Sequence, residues 1–116
     1  MSLTAARKAR LGAHAALGKK AEDLVIFDVQ RVSTIGDYFL ICCGRSTTQV
    51  RTIADAIEKA LRVEGVRASH REGLPESGWV LLDYGDVIMH VFLPETRGFY
   101  ALERLWGDAP ELSLDG

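Results

Sequence analysis

Residues 78–93 read GWVLLDYGDVIMHVFL, two apolar runs separated by Asp83-Tyr84-Gly85-Asp86. Asp, Gly and an aromatic between β-branched runs are the residue types of a tight reversal, so the stretch predicts a β-hairpin. With the loop centred on Tyr84-Gly85, Leu82 faces Val87, Leu81 faces Ile88, Val80 faces Met89 and Trp79 faces His90. Strand side chains alternate between faces with period two. One face then collects Trp79, Leu81, Asp83, Asp86, Ile88, His90 and Phe92, and the other Val80, Leu82, Val87, Met89, Val91 and Leu93. The aliphatic face is expected to lie against the core under a helix. The mixed face carries an aromatic, an imidazole and a carboxylate pair at the hairpin tip, a combination suited to a binding surface. The plainer alternative is a sheet covered on both sides, with Trp79 as packing and His90 as a hydrogen-bonded buried histidine.

Outward from the hairpin, the chain reads as one domain. Its 116 residues are enough for a core without staples, and 47% hydrophobic with 26% charged residues is the composition of a soluble globular protein. No apolar run approaches the roughly 20 residues of a membrane span. The net charge of −2 gives no general electrostatic footprint for nucleic acid. Cys42 and Cys43 are adjacent in an apolar run and so point to opposite faces; they form neither a CxxC motif nor a disulfide framework, which fits a reducing compartment. His14, His70 and His90 show no zinc-ligand spacing.

Before the hairpin, residues 1–20 are Ala-rich and basic, with no acid before Glu22. They predict a helix packed on the domain, weakened by Gly12 and Gly18. A basic, acid-poor N-terminus has some likeness to an organelle transit peptide, but it runs into the fold without a linker, so a bacterial-type cytoplasmic protein is expected. Residues 24–29, LVIFDV, predict a first strand and residues 38–43, YFLICC, a central strand buried on both sides. Ser46 and Gln49 have capping-box spacing. Val50, Ile53, Ala54, Ile57 and Leu61 then form one apolar stripe of a helix that Gly65 stops. On its solvent side Arg51 with Asp55, Asp55 with Lys59 and Glu58 with Arg62 have i,i+4 spacing. A further strand is expected near residues 66–71. After the hairpin, Pro94 ends the last strand and Thr96 caps a short helix over 97–106, with Leu102, Leu105 and Trp106 as its apolar face and Gly107 as its stop. The acidic tail, residues 108–116, is expected to be mobile. The domain proper then spans residues 21–107, and the architecture is α/β (α+β), a mixed five-stranded sheet with flanking helices.

Catalytic motifs are sparse. The turn at Gly44-Arg45-Ser46-Thr47 offers helix N–H groups to an anion but lacks the spacing of a P-loop or a dinucleotide fingerprint. Asp83 and Asp86 flank Tyr-Gly with no third acid nearby, a pattern of turn residues more than of a metal site. His90 has no nucleophile that the sequence places against it.

In order and spacing, residues 19–29 (KKAEDLVIFDV), 37–57 (DYFLICCGRSTTQVRTIADAI), 78–92 (GWVLLDYGDVIMHVF) and 97–110 (RGFYALERLWGDAP) strongly resemble the ribosomal silencing factor family, RsfS or Iojap-like. The resemblance implies a nucleotidyltransferase-like fold without nucleotidyl transfer, and the metal-binding D-x-D that such enzymes need is D-x-x-D here. It implies no enzyme, no cofactor and no metal. It implies instead a homodimeric translation repressor that binds ribosomal protein L-fourteen on the large ribosomal subunit and sterically blocks the small one when nutrients run short. The family pattern maps the partner-binding site onto Trp79, Asp83, Tyr84, Asp86, His90, Arg97 and Tyr100. Gly98 departs from that pattern, where a larger residue is common, as does Cys43, where a small residue usually precedes the glycine. A dimeric adaptor for another protein and a nucleotidyltransferase-like enzyme using Asp83, Asp86 and the Gly44 turn are the competing readings.

Overall fold

The computed structural model describes residues 3–31, 36–100, 104 and 108–114, the side chains of 99 and 100 excepted. In chain order the elements are α1 (Ala5–Gly18), β1 (Glu22–Asp28), β2 (Tyr38–Cys43), α2 (Thr47–Val63), β3 (His70–Glu72), a single 3₁₀ turn (Pro75–Ser77), β4 (Trp79–Asp83), β5 (Val87–Phe92) and α3 (Pro94–Tyr100). The five strands form one mixed sheet in the order β1-β2-β5-β4-β3. β2 and β5 run parallel at its centre, and the other neighbours are antiparallel. Both central strands are buried at every residue, as expected of runs apolar on both faces.

The apolar stripe of α2 buries Val50, Ile53, Ala54, Ile57 and Leu61 against one face of the sheet. Its start is capped by Ser46, whose Oγ accepts the Gln49 N–H at 3.1 Å. Gln49 does not return the bond to Ser46. Its Oε1 accepts from the Arg45 N–H at 2.6 Å, and its Nε2 donates to the carbonyls of Lys19 and Lys20, tying the end of α1 to the start of α2. The helix ends in a Schellman motif: the N–H groups of Gly65 and Val66 donate to the carbonyls of Arg62 and Leu61, with Gly65 at φ 80°. The i,i+4 pairs expected on α2 are replaced by bonds to other elements. Arg51 bonds Glu76, and Arg71 from β3 bonds both Asp55 and Glu58.

α1 lies beside α2 on the same face, burying Ala9, Gly12, Ala13 and Ala16. Thr4 caps it, its Oγ1 accepting the Arg7 N–H. Small residues let this helix approach closely: a Cβ on Gly12 would stand 2.6 Å from the Met89 sulfur.

Three expectations are corrected. The strand near 66–71 is only His70–Glu72, an edge strand antiparallel to β4, because Val66 and Ala68 turn into the core instead. The helix after β5 begins at Pro94, with proline at its first position where a missing N–H costs nothing; Leu102, Leu105, Trp106 and Gly107 lie outside the described residues. The tail expected to be mobile runs along the outer edge of β1. Asp28 N–H donates to the Pro110 carbonyl at 2.7 Å and Leu112 N–H to the Ile26 carbonyl at 2.8 Å, and Leu112 and Leu114 pack on the core. Unpaired groups on an edge strand are strong hydrogen-bonding sites, and the tail satisfies them.

Candidate functional site

The hairpin forms with a shifted register. Trp79 faces Phe92, Leu81 faces His90, Leu82 faces Met89 and Asp83 faces Ile88. Tyr84 N–H donates to the Val87 carbonyl at 2.9 Å, so the turn residues are Gly85 and Asp86 rather than Tyr84 and Gly85. Gly85 takes the left-handed conformation, φ 85°, that such a turn needs. The slip is two residues, so face assignments within the strands survive it. The tip does change.

Asp83 stays on the aromatic face. Its Oδ1 accepts the Gly85 N–H at 2.7 Å, an Asx turn that fixes the carboxylate, while Oδ2 lies 3.8 Å from Nδ1 of His70 on the neighbouring edge strand. Asp86 leaves that face. Its carboxylate receives the Lys8 ammonium of α1 at 3.1 and 3.2 Å, on the helix side of the sheet. Tyr84 is buried on the helix side as well, 6% exposed and packed in the main core. The expected pair of tip carboxylates flanked by two aromatics is therefore divided between the two faces. His70 and Lys8 were not legible as neighbours of these acids, since the contacts join distant segments and leave no local spacing.

Along the aromatic face, Trp79 is half-buried, and its indole N–H donates to His90 Nδ1 at 3.1 Å. That bond requires an unprotonated Nδ1 and places the imidazole proton on Nε2. Trp79 stacks on Phe92 at 5.2 Å between ring centroids, His90 lies parallel to Phe92 at 5.9 Å, and Phe39 meets His90 edge-on. His90 is only 5% exposed, and burial pushes its pKa down to about 4. It is a neutral acceptor that orients Trp79. The face is thus mostly covered: Phe27, Val29, Phe39, Ile41, Cys43, Ile88 and Phe92 form a second buried cluster with Ala109 against it. Solvent reaches it on β4, at Trp79, Leu81 and Asp83. The plainer alternative, a face covered like the other with His90 hydrogen-bonded in it, therefore describes most of this side, and the mixed face suited to binding narrows to its β4 rim.

Arg97 on α3 points to the opposite sheet edge, its Nη1 donating to the Asp23 carbonyl and approaching Cys43 Sγ at 3.4 Å. The structure does not bring it to Trp79 or Asp83 by any described contact, and the Tyr100 side chain lies outside the described residues. Cys42 and Cys43 do point to opposite faces, one in each core cluster. Burial pushes the Cys42 thiol up to about 12, which leaves it protonated and unreactive. Arg45, at the turn considered for an anion, is taken by Glu22 in a two-pronged ion pair of 2.7 and 2.9 Å. Among the described residues no three His, Cys, Asp or Glu side chains come together as a metal site, and no helix is long and apolar enough to cross a membrane.

The family model described as ribosomal silencing factor during starvation matches residues 2–116. The chain belongs to the ribosomal silencing factor family. RsfS of Bacillus subtilis is 44% identical over 106 residues, covering 91% of this chain and 90% of that protein. RsfS of Halalkalibacterium halodurans is 43% identical over 107 residues, 92% of each. A crystal structure of a Chromobacterium violaceum protein superposes with a TM-score of 0.87 at 29% identity, covering 98% of this chain and 94% of that one. Both RsfS relatives are matched over about nine-tenths of their own length.

Proposed function

We propose that this member of the family silences ribosomes by occlusion, without turnover. It seats the half-exposed aromatic face of β4 on ribosomal protein L-fourteen of the large subunit and so keeps the small subunit from joining, repressing translation when nutrients are limiting. The observation that supports this reading best is Asp83, a carboxylate about one-third exposed, fixed by its own turn at the end of a strand that also presents half-buried Trp79 and Leu81. A basic ribosomal protein supplies the charge such a fixed acid can pair with, and the aromatic face supplies the anchor. His90 contributes by holding Trp79, and Tyr84 by anchoring the turn from beneath. Asp86, shared with Lys8, adds a weaker contact at the rim. Arg97 and Tyr100 enter the proposed contact on the family resemblance alone. The same resemblance supports a homodimer acting in the cytoplasm.

Co-sedimentation with dissociated large subunits, followed by rejoining with small subunits when magnesium is restored, tests the reading. Asp83→Lys is expected to weaken subunit binding more than tenfold, about 1.4 kcal/mol or beyond, with an unchanged circular dichroism spectrum. Wild-type affinity in folded Asp83→Lys would remove the β4 face from the contact. Failure of the parent protein to bind subunits at all would remove the occlusion mechanism.

A further inference from the structure

Between the C-terminal half of α2 and the β3 edge lies a cavity of about 220 Å³ whose polar lining is Glu58, Arg62, Arg67, Arg71 and Tyr84. Tyr84 forms its inner wall. That residue is more than nine-tenths buried, and its phenolic oxygen has no hydrogen-bond partner among the described residues. A buried hydroxyl without a partner is costly, and such groups often mark a place where something binds. Three arginines line the same cavity. Arg71 bonds Asp55 and Glu58 through the same nitrogen, Nη1, at 2.9 and 2.6 Å. Arg62 and Arg67 are exposed and make no ion pair among the described residues. The acids are outnumbered at the cavity, and the one acid in its lining is already neutralised by Arg71.

We propose that this cavity is a binding site for a small phosphate-bearing molecule, with the Tyr84 hydroxyl as the buried donor and the Arg62 and Arg67 guanidinium groups as the outer clamp. A phosphate fits the donor set better than a carboxylate. It presents three or more acceptor oxygens and up to two charges, which suit several guanidinium donors together with one hydroxyl. A single water would satisfy the phenol but leave the excess positive charge unanswered. The volume is below the range of drug-sized pockets, so the occupant is the size of phosphate, pyrophosphate or the phosphoryl end of a metabolite. Burial, with Glu58 adding to it, pushes the Tyr84 pKa up to about 12, so the hydroxyl remains a proton donor throughout the physiological range. The cavity lies on the helix side of the hairpin and shares only Tyr84, which supports the turn from beneath, with the proposed ribosomal contact.

The full chain is titrated with sodium phosphate and then sodium pyrophosphate at constant ionic strength, with chloride as the control anion, and followed by isothermal titration calorimetry and thermal melting. Saturable binding and a rise in Tm with phosphate, absent with chloride, are expected. Arg67→Gln should weaken binding at least fivefold. Tyr84→Phe should weaken it by roughly threefold to tenfold, the range of one hydrogen bond, while its Tm without phosphate stays equal or rises, since the lost hydroxyl had no partner. No saturable response up to about 100 Kd of an ordinary millimolar site, on the scale where linkage predicts a clear Tm shift, overturns the proposal. So does an unchanged phosphate response in both variants. A Tyr84→Phe protein that melts lower yet binds phosphate normally would assign the hydroxyl a structural role and equally overturn it.

Discussion

The two carboxylates of the hairpin tip are three residues apart, and the fold uses them in opposite ways. Asp86 reaches under the sheet to Lys8, where it fastens α1; Asp83 stays above it, held by its own turn and partly open to solvent. The same division runs through the whole sheet. The helix side is an aliphatic core beneath two helices of the chain, in which, among the described residues, only Tyr84 brings a buried side-chain polar atom without a partner. The other side is aromatic, holds a buried neutral histidine, and is half-exposed along β4 and at Val25 of β1. One face carries stability, and the rim of the other is the proposed contact.

If that contrast is right, the largest effect belongs to the helix side. Leu82→Ala removes a fully buried side chain from beneath α2 and is expected to cost about 2–5 kcal/mol in urea-induced unfolding. A loss well under 1 kcal/mol would mean that this face is not the core.

Next in size is a pH effect seated on the aromatic side. His90 titrates near 6.5 when unfolded and about 4 when folded. Above 6.5 both states are neutral and stability is full. Between 6.5 and 4 the unfolded chain holds the extra proton, so stability falls as pH falls, by about 3 kcal/mol once both states are titrated. Compared with wild type across this range, His90→Asn should show a correspondingly shallower loss by chemical denaturation. Parallel pH profiles would show that the imidazole is not buried neutral.

The smallest effect sharpens the comparison at the tip itself. Asp86→Asn breaks a partly exposed ion pair and should cost about 1 kcal/mol or less, diminishing in high salt, with subunit binding nearly unchanged. Asp83→Lys should do the reverse. Equal effects of the two on subunit binding would place both acids at the contact and undo the division drawn here.

Much of this was legible in the residues. The α2 stripe from Val50 to Leu61, its Ser46 cap and its Gly65 stop follow from local spacing and local backbone preference, and each formed as read. YFLICC announced a strand buried on both sides because no polar residue interrupts it. The hairpin was visible, and a register error of two residues left its faces intact because strand side chains repeat every two. The candidate site was less legible. Trp79, Asp83 and His90 fell on one face, but Tyr84 and Asp86 did not join them, since the turn formed one position later than its residue types indicated.

By itself, then, the sequence determined α2 and its apolar stripe, the central strand, the hairpin and the two faces of its strands, and the family, all of which rest on periodicity and order along the chain. Only the tertiary structure decided that Asp86 serves α1, that Arg71 displaces the helical ion pairs of α2, that the tail lines β1, and that Tyr84 backs a basic cavity. Each of those is a contact between segments far apart in the chain. Which charge meets which, and which face is covered, depend on the packing of elements that no single stretch can specify.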